Sequence, residues 1–108
     1  MTDMPEDDRG ASASPPHDGA LVRELPITNK RGLHARASAK FVQMAERFNA
    51  EITVTRGAET VGGNSIMGLM MLAAGIGSSI IVTAKGPQAR EALDAITELV
   101  TSRFGEED

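Results

Sequence analysis

Residues 21–48 read LVRELPITNKRGLHARASAKFVQMAERF, in which a strand pattern is followed by a loop and then by a helix pattern. Apolar side chains alternate in the first part, as they do along a strand that is buried on one face; they are Leu21, Leu25 and Ile27. Residues 29–32 supply turn chemistry, and a helix is predicted to begin near Ala35. Its apolar residues recur at helical spacing; they are Phe41, Val42, Ala45 and Phe48. The segment therefore predicts a strand joined to an amphipathic helix by a short polar loop.

The same two patterns continue through the rest of the chain. A strand, a return strand, a short helix, a fourth strand and a last helix are predicted at residues 52–55, 59–61, 65–72, 80–84 and 87–100. Asn64-Ser65 offers a cap for the short helix, Gly75 and Gly77 close it, and Pro87 fits the first turn of the last helix. The order β-α-β-β-α-β-α, with one apolar stripe per helix, favours an α+β open-faced sandwich. In this fold a four-stranded antiparallel sheet is covered on one face by three helices.

The composition excludes several classes of function. The chain has 108 residues, which is enough for one domain, and its 41% hydrophobic content is enough for a packed core. The 3% aromatic content and the net charge of -4 argue against nucleic-acid binding, which uses stacking surfaces and basic patches. With no cysteine and only two histidines, no disulfide and no metal site are expected. No apolar run is long enough to cross a membrane and no signal segment is recognisable, so a cytoplasmic protein is expected.

The two ends of the chain differ from the middle. Residues 1–20 are acidic and rich in Pro, Ser, Ala and Gly. Such a segment cannot bury enough apolar area to offset the entropy of ordering, so a disordered tail is predicted. His17 lies in this tail and is expected to be inert. The folded domain is expected to span residues 21–104, and the acidic residues 105–108 are expected to fray.

His34 lies where the predicted loop enters the first helix. Unpaired N–H groups and the positive end of the dipole make a helix start a binding place for phosphate oxygens, and here Ala35 and Arg36 would supply the N–H groups. A neutral imidazole can attack phosphorus, and its protonated phosphoramidate departs readily toward the next acceptor. The Arg36 guanidinium can follow the phosphoryl charge with paired hydrogen bonds. The local chemistry thus favours reversible phosphoryl transfer.

Basic residues concentrate around this position. Five of the 11 Lys and Arg residues lie between Lys30 and Arg47, where Glu46 is the only acid, so an acidic chain carries one basic face. A simpler interpretation stays open at this point, in which a small α/β domain binds a ligand and His34 merely begins a helix. That alternative predicts a function that does not depend on the histidine.

The segment GLHAR, residues 32–36, resembles the active-site signature of HPr, the histidine phosphocarrier family of the bacterial phosphotransferase system. The resemblance covers residues 21–104, and ITNK at 27–30 with GPQ at 86–88 is similar to the nitrogen-related branch called NPr. The family usually has proline after the arginine, where this chain has Ala37. Because alanine is equally compatible with a helix, we expect a slightly less rigid site with its chemistry intact.

The resemblance implies a carrier rather than a complete enzyme, acting as a monomer without a cofactor. His34 would accept the phosphoryl group, and Arg36 with the backbone of Ala35 would stabilise it. The implied donor is a phosphorylated Enzyme I type protein, or its nitrogen-related paralogue, that is charged from phosphoenolpyruvate. The implied acceptor is an EIIA-type protein of a sugar or nitrogen-related system.

The predicted short helix adds two further expectations. By resemblance, Ser65 matches a serine that an HPr kinase/phosphorylase modifies in many members of the family, although helix capping is its simpler role. The helix holds more apolar residues than one buried stripe requires, and methionine adapts to differently shaped partners. The implied docking contacts are Ile66, Met67 and Met70. The competing function is a regulatory protein-interaction module controlled by phosphorylation of His34 or Ser65.

Overall fold

A computed structural model describes residues 20–106 as seven regular elements followed by a short 3-10 turn. The elements are β1 (Leu21–Pro26), α1 (Ala35–Ala45), β2 (Glu51–Arg56), β3 (Glu59–Gly62), α2 (Ile66–Met71), β4 (Ser79–Lys85) and α3 (Ala89–Thr101), and the 3-10 turn spans Arg103–Gly105. The predicted tail up to residue 19, which includes His17, lies outside the described residues, as do residues 107–108. No helix within the described range is long and apolar enough to span a bilayer.

The strands form one antiparallel sheet in the order β1-β4-β2-β3. Leu25 pairs with Ile80 across β1 and β4, and Val54 pairs with Val82 across β2 and β4. All four side chains are buried. Alternate positions of a strand point to the same face of the sheet, and these four point to the face that the helices cover. The neighbouring Ile81 points to the opposite, open face and is exposed. The predicted open-faced α+β sandwich is confirmed.

Helices α1 and α3 supply the other half of the core. Phe41 on α1, and Leu93 and Ile96 on α3, are at most 1% exposed, as their helical spacing predicts. Burying each such side chain stabilises the fold by about 1.5–3 kcal/mol. Helix α3 packs on β1 and β4, and α1 packs on α2 and α3. This packing fixes the N-terminal end of α1 relative to the sheet.

Helix α1 is shorter than its sequence pattern predicts. Apolar spacing predicts a helix through Phe48, but α1 ends at Ala45. Beyond it, Arg47 N–H donates to the Met44 carbonyl at 3.2 Å and Phe48 N–H donates to the Ala45 carbonyl at 3.4 Å. These bonds connect residues three apart, so the chain tightens into a 3-10 type turn. Phe48 packs against the core from this turn, which explains why its spacing looked helical.

The left-handed residue that follows helix α2 is an alanine rather than a glycine. Gly75 and Gly77 are predicted to close it, but Ala73 already takes the left-handed conformation with φ 53°. That conformation costs a non-glycine residue about 1–2 kcal/mol. It is held here because the next residue, Ala74, is 2% exposed and accepts a hydrogen bond from Leu33 N–H at 2.9 Å. The end of α2 is therefore tied to the loop that precedes α1.

Helix α3 begins after Pro87 instead of containing it. Its first residue is Ala89, and Gln88 is the N-cap. Gln88 N–H donates to the Asn49 carbonyl at 3.1 Å, and Asn49 N–H donates to Gln88 Oε1 at 2.7 Å. This reciprocal pair ties the start of α3 to the turn that follows α1, which leaves Pro87 in the preceding turn.

Candidate functional site

The loop between β1 and α1 is held by the buried side chain of Asn29. Its Nδ2 donates to the Gly32 carbonyl at 2.8 Å, and Gly32 N–H donates to the Asn29 carbonyl at 3.2 Å. Leu33 N–H is bonded to the Ala74 carbonyl beyond α2. Since these bonds fix the backbone of residues 29–33, the position of His34 is set before α1 begins.

Gly32 allows this loop to approach the chain beyond α2. Its φ is 65°, in the left-handed region that favours glycine. A Cβ atom at this position would lie 2.3 Å from the Ala74 carbonyl oxygen and 2.8 Å from the Gly75 Cα. Gly32 therefore has a structural role: it lets the loop approach the chain beyond α2 and so determines where His34 lies.

His34 is the N-cap residue of α1, with φ -72° and ψ -179°. Its carbonyl accepts the Ser38 N–H at 2.9 Å, but its side chain makes no capping hydrogen bond. The N–H groups of Ala35 and Arg36 are among those that helical bonding leaves unpaired at a helix start. The side chain of His34 is 18% exposed. A reachable imidazole and a set of backbone donors therefore lie side by side.

Cationic side chains surround the imidazole of His34. Those that line the same hollow are Lys30, Arg31, Arg36 and Lys40. Arg47, the fifth basic residue of the predicted basic face, lines a different hollow beside Met44 and Leu99. Charge of this density attracts a phosphoryl dianion and its oxygens. Within residues 20–106, no group of three or more His, Cys, Asp or Glu side chains is arranged to hold a metal ion.

A carboxylate from the C-terminal end of the chain completes this hollow. His34 Nε2 is hydrogen-bonded to Glu106 Oε2, and Asn29 Nδ2 donates to Glu106 Oε1 at 3.2 Å. Burial alone would raise the pKa of Glu106, but the hydrogen bonds from His34 and Asn29 and the attraction to His34 and Arg31 outweigh it and lower the pKa. Glu106 belongs to the acidic end for which the sequence predicts fraying, and in the structure it is a partner of the candidate nucleophile.

Sequence analysis singles out neither Glu106 nor Asn29 as a site residue. One signal for Glu106 exists, because Phe104 is an isolated apolar residue near the end of the chain. The Phe104 side chain is 1% exposed, and its burial holds the residues that follow it against the domain. For Asn29 the sequence indicates only a turn, since the burial of a polar side chain depends on contacts that are distant in sequence.

Ser65 and the apolar residues after it lie on α2. Ser65 Oγ accepts the Gly68 N–H at 2.9 Å, so the predicted capping role is confirmed. Met67 and Met71 are 70% and 71% exposed, and Ile66 and Met70 are each 40% exposed. The helix thus presents the outward apolar surface that its composition predicts.

One of these residues lies close to the histidine. Met70 and His34 line a shallow groove together with Arg31 and Ala73. Neither this groove nor the hollow lined by Lys30, Arg31, Arg36 and Lys40 includes Ser65, Ile66 or Met67. The predicted site residues therefore form two groups, one around the imidazole and one on α2, with Met70 between them.

Comparison with known proteins identifies the family to which the chain belongs. Residues 21–102 match the family model described as "PTS HPr component phosphorylation site". The chain is 50% identical to phosphocarrier protein HPr of Cupriavidus necator over 86 residues, which are 80% of this chain and 97% of that protein. It is 45% identical to phosphocarrier protein NPr of Shewanella violacea over 86 residues, covering 80% of this chain and 94% of that protein.

Solved structures agree with this match. The crystal structure of HPr-C-His from Thermoanaerobacter tengcongensis superposes with a TM-score of 0.78 at 40% identity, covering 82% of this chain and 99% of that chain. An HPr structure from Bacillus anthracis superposes with a TM-score of 0.73 at 43% identity, covering 76% and 98%. The match to the family model spans most of the chain, and the chain covers these relatives nearly from end to end. The chain therefore belongs to the HPr family of phosphocarrier proteins of the phosphotransferase system.

Proposed function

We propose that the chain accepts a phosphoryl group on His34 from a phosphorylated Enzyme I type protein and passes it to an EIIA-type protein. One observation carries the proposal: the imidazole lies at the N-cap of an 11-residue helix, free of any capping bond, in a hollow lined by cationic side chains. We assign the activity to a domain over residues 21–104. We propose that it acts as a cytoplasmic monomer, in a sugar or nitrogen-related relay that uses no cofactor.

The proposed transfer needs a nucleophile and a place for the phosphate charge. A lone pair of the neutral His34 ring forms the N–P bond, while the bond between phosphorus and the donor breaks and the donor keeps its electron pair. The N–H groups of Ala35 and Arg36 and the positive end of α1 stabilise the phosphoryl oxygens. Attack by EIIA then returns the electron pair to the His34 ring.

Incubation with Enzyme I and labelled phosphoenolpyruvate tests the proposal. The chain should gain one acid-labile, base-stable phosphate and lose it when an EIIA-type protein is added. A chain that takes no label from charged Enzyme I would contradict the proposal. That result would favour a ligand-binding domain in which His34 only begins α1.

We expect Arg36→Ala to slow phosphoryl transfer by about tenfold or more, the loss expected when a hydrogen bond to a charged group is removed. Arg36 is exposed and contributes little to the core, so the melting temperature should change little. The measurement is the initial rate of labelling by Enzyme I. Arg90→Ala removes the same charge from an exposed position on α3 and is the control. A normal rate in Arg36→Ala combined with altered melting would contradict this role.

We infer that the exposed face of α2 receives both partner proteins. Ile66, Met67 and Met70 are the proposed contacts, and the groove shared by Met70 and His34 connects this apolar surface to the imidazole. Methionine conforms to surfaces of different shape, which suits a carrier that meets both a donor and an acceptor. The helix therefore serves docking, while the loop before α1 serves the chemistry.

The position of Ser65 favours a second function, the regulation of docking. Its hydroxyl caps α2 directly before the exposed Ile66 and Met67. An enzyme of the HPr kinase/phosphorylase type would add a dianion there. The helix start tolerates that charge, but a partner would have to desolvate it on binding. In this role the chain is a regulatory interaction module controlled by phosphorylation of Ser65 or His34.

We expect Ser65→Asp to weaken binding to Enzyme I by about tenfold, because a charge is placed at the edge of an apolar docking surface. Aspartate still caps a helix, so α2 should stay formed. Ser65→Asn is the matched control, since asparagine caps equally well without the charge. Titration calorimetry measures the two dissociation constants, and equal values for the two variants would exclude a charge effect at this position.

A further inference from the structure

We propose that an acidic segment of this chain, residues 3–8, binds the hollow of cationic side chains around His34 and competes there with phosphoryl transfer. The segment reads DMPEDD and contains four acidic residues and no basic one. It lies outside the described residues, whereas the hollow that it is proposed to bind lies within them. The contact itself needs no phosphate, but its effect on transfer rests on the proposed function of His34.

The formal charge of the chain is divided unevenly between its first 20 residues and the rest. Residues 1–20 contain five of the 15 acidic residues and one of the 11 basic residues, which gives them a net charge of -4. Residues 21–108 contain the other ten acidic and ten basic residues and are neutral overall. The match to the family model covers residues 21–102. The whole excess of negative charge therefore lies in a part of the chain that the family model does not include.

The hollow around His34 has an excess of positive charge. Besides the carboxylate of Glu106, four cationic side chains line it; they are Lys30, Arg31, Arg36 and Lys40. All of these except Lys40 are exposed. Within residues 20–106, neither Lys30 nor Arg36 forms an ion pair with a carboxylate. Four further carboxylates would therefore meet cations that are accessible and lack a counter-charge in the described part of the chain.

Other cations of the described domain are less suited to receive four carboxylates. Arg23 is already paired with Asp94 of α3 at 3.2 Å. Arg56 donates to a backbone carbonyl at the end of α2. A second hollow, between α1 and α3, is lined by only two cations, Lys40 and Arg47. Because attraction grows with the number of opposite charges in one place, the hollow around His34 is the expected binding site of the acidic segment.

The chain between the acidic segment and β1 is long enough for this contact. Strand β1 runs from Leu21 to Pro26, and the loop that carries His34 follows the end of the strand. The segment must therefore pass the length of β1, which is about 20 Å for six residues at ~3.3 Å each. Residues 9–20 can span up to about 40 Å when extended. A tether of this length gives the segment a local concentration on the order of millimolar at the hollow.

The proposed contact disfavours the uptake of phosphate. Exposed ion pairs are individually weak and are screened by salt, so the segment occupies the hollow reversibly. A phosphoryl group on His34 brings negative charge into the same hollow and repels the acidic segment. Coupling between two ligands of one site is reciprocal, so a segment that the phosphoryl group displaces must lower the affinity for that group by the same factor. The acidic segment is therefore an autoinhibitory element of the proposed carrier.

The first arm of the test detects the contact in the full chain without a partner protein. Because the chain has no cysteine, Met4→Cys provides a single site for a nitroxide label, which weakens the amide NMR signals of residues close to it. We expect the strongest loss of signal at residues 30–40. The loss should be weaker at residues 57–58, a turn at the same end of the sheet. At about 1 M salt, where the Debye length is about 3 Å, this difference should disappear.

A variant without the four negative charges is the control for this arm. This amide variant combines Asp3→Asn, Glu6→Gln, Asp7→Asn and Asp8→Asn, and it should show no preference for residues 30–40. An equal loss of signal at residues 30–40 and 57–58 in the labelled native sequence would overturn the proposal, as would a preference that persists in the amide variant. A loss that grows with protein concentration would also overturn it, because the segment would then come from a second copy of the chain.

The second arm measures the initial rate of labelling by Enzyme I at low salt. The amide variant should be labelled about threefold faster than the native chain, as expected if the segment occupies the hollow in about two-thirds of the molecules. The ratio of the two rates should approach one at about 1 M salt. A matched control removes the same charge from exposed positions of the domain and should be labelled at the native rate; it combines Glu24→Gln, Glu59→Gln, Glu91→Gln and Glu98→Gln.

The outcomes of the second arm separate three explanations. An equal or slower rate in the amide variant overturns the proposed competition. An equally faster rate in the matched control also overturns it, because net charge alone would then explain the effect. If the native chain takes no phosphate, the proposed function fails instead, while the nitroxide measurement still tests whether residues 3–8 bind the hollow.

Discussion

His34→Ala is expected to give a folded protein that takes up no phosphate from Enzyme I and phosphoenolpyruvate. The substitution removes the proposed acceptor but keeps the backbone carbonyl that accepts the Ser38 N–H. Because the His34 side chain makes no capping bond, the substitution removes mainly its hydrogen bond to Glu106, and the free energy of unfolding should change by no more than about 3 kcal/mol. Labelled phosphate and denaturant unfolding measure the two quantities on the same sample.

The second histidine of the chain provides the control. His17→Ala changes the same residue type outside the described part of the chain and should leave labelling at the native level. Undiminished labelling of His34→Ala would end the assignment of the acceptor. Loss of labelling together with loss of the fold would also contradict the expectation, since it would make His34 a structural residue.

Gly32→Ala is expected to destabilise the fold by about 2–5 kcal/mol, from the cost of a left-handed alanine and from overlap with its neighbours. The added Cβ would lie 2.3 Å from the Ala74 carbonyl oxygen, which is backbone and is bonded to Leu33 N–H. The loop can relieve this overlap only by moving away from the end of α2, and His34 moves with it. We therefore expect the labelling rate to fall as well, even at temperatures where the protein stays folded.

Gly57→Ala is the control that separates the conformational cost from the cost of overlap with neighbouring atoms. Gly57 has a similar φ of 62°, but a Cβ built there meets no atom within 4 Å. Gly57→Ala should therefore show only the conformational cost, about 1–2 kcal/mol, and normal labelling. Chemical denaturation of the two variants measures the difference. Equal midpoints would mean that the contact between Gly32 and Ala74 does not hold the loop.

The elements of the fold were predictable because their signals are local. Alternation around Leu25 and the helical spacing around Leu93 each reflect one buried face, and both are confirmed. The ends of the helices were less predictable. Phe48 has helical spacing although α1 ends before it. Ala73 takes the left-handed conformation, which glycine adopts most readily. In both cases tertiary packing overrides local preference.

The candidate site divides in the same way. His34 and Arg36 could be singled out because they are adjacent in sequence at a strand-to-helix junction. Glu106 could not be, because the one signal nearby, the isolated apolar residue Phe104, does not show which of the carboxylates that follow it returns to the domain. The buried position of Asn29 likewise depends on contacts with the last residues of the chain. Sequence proximity identified the proposed nucleophile, and only three-dimensional contact identified the side chains that are hydrogen-bonded to it or to its loop.

The location of the phosphate on the charged chain tests the central claim most directly. After charging with Enzyme I and phosphoenolpyruvate, tandem mass spectrometry at neutral to alkaline pH assigns the modified peptide, and phosphorus–nitrogen NMR assigns the modified atom. We predict a single phosphoryl group on His34. A phosphate on any other side chain, or a chain that carries none, would contradict the claim.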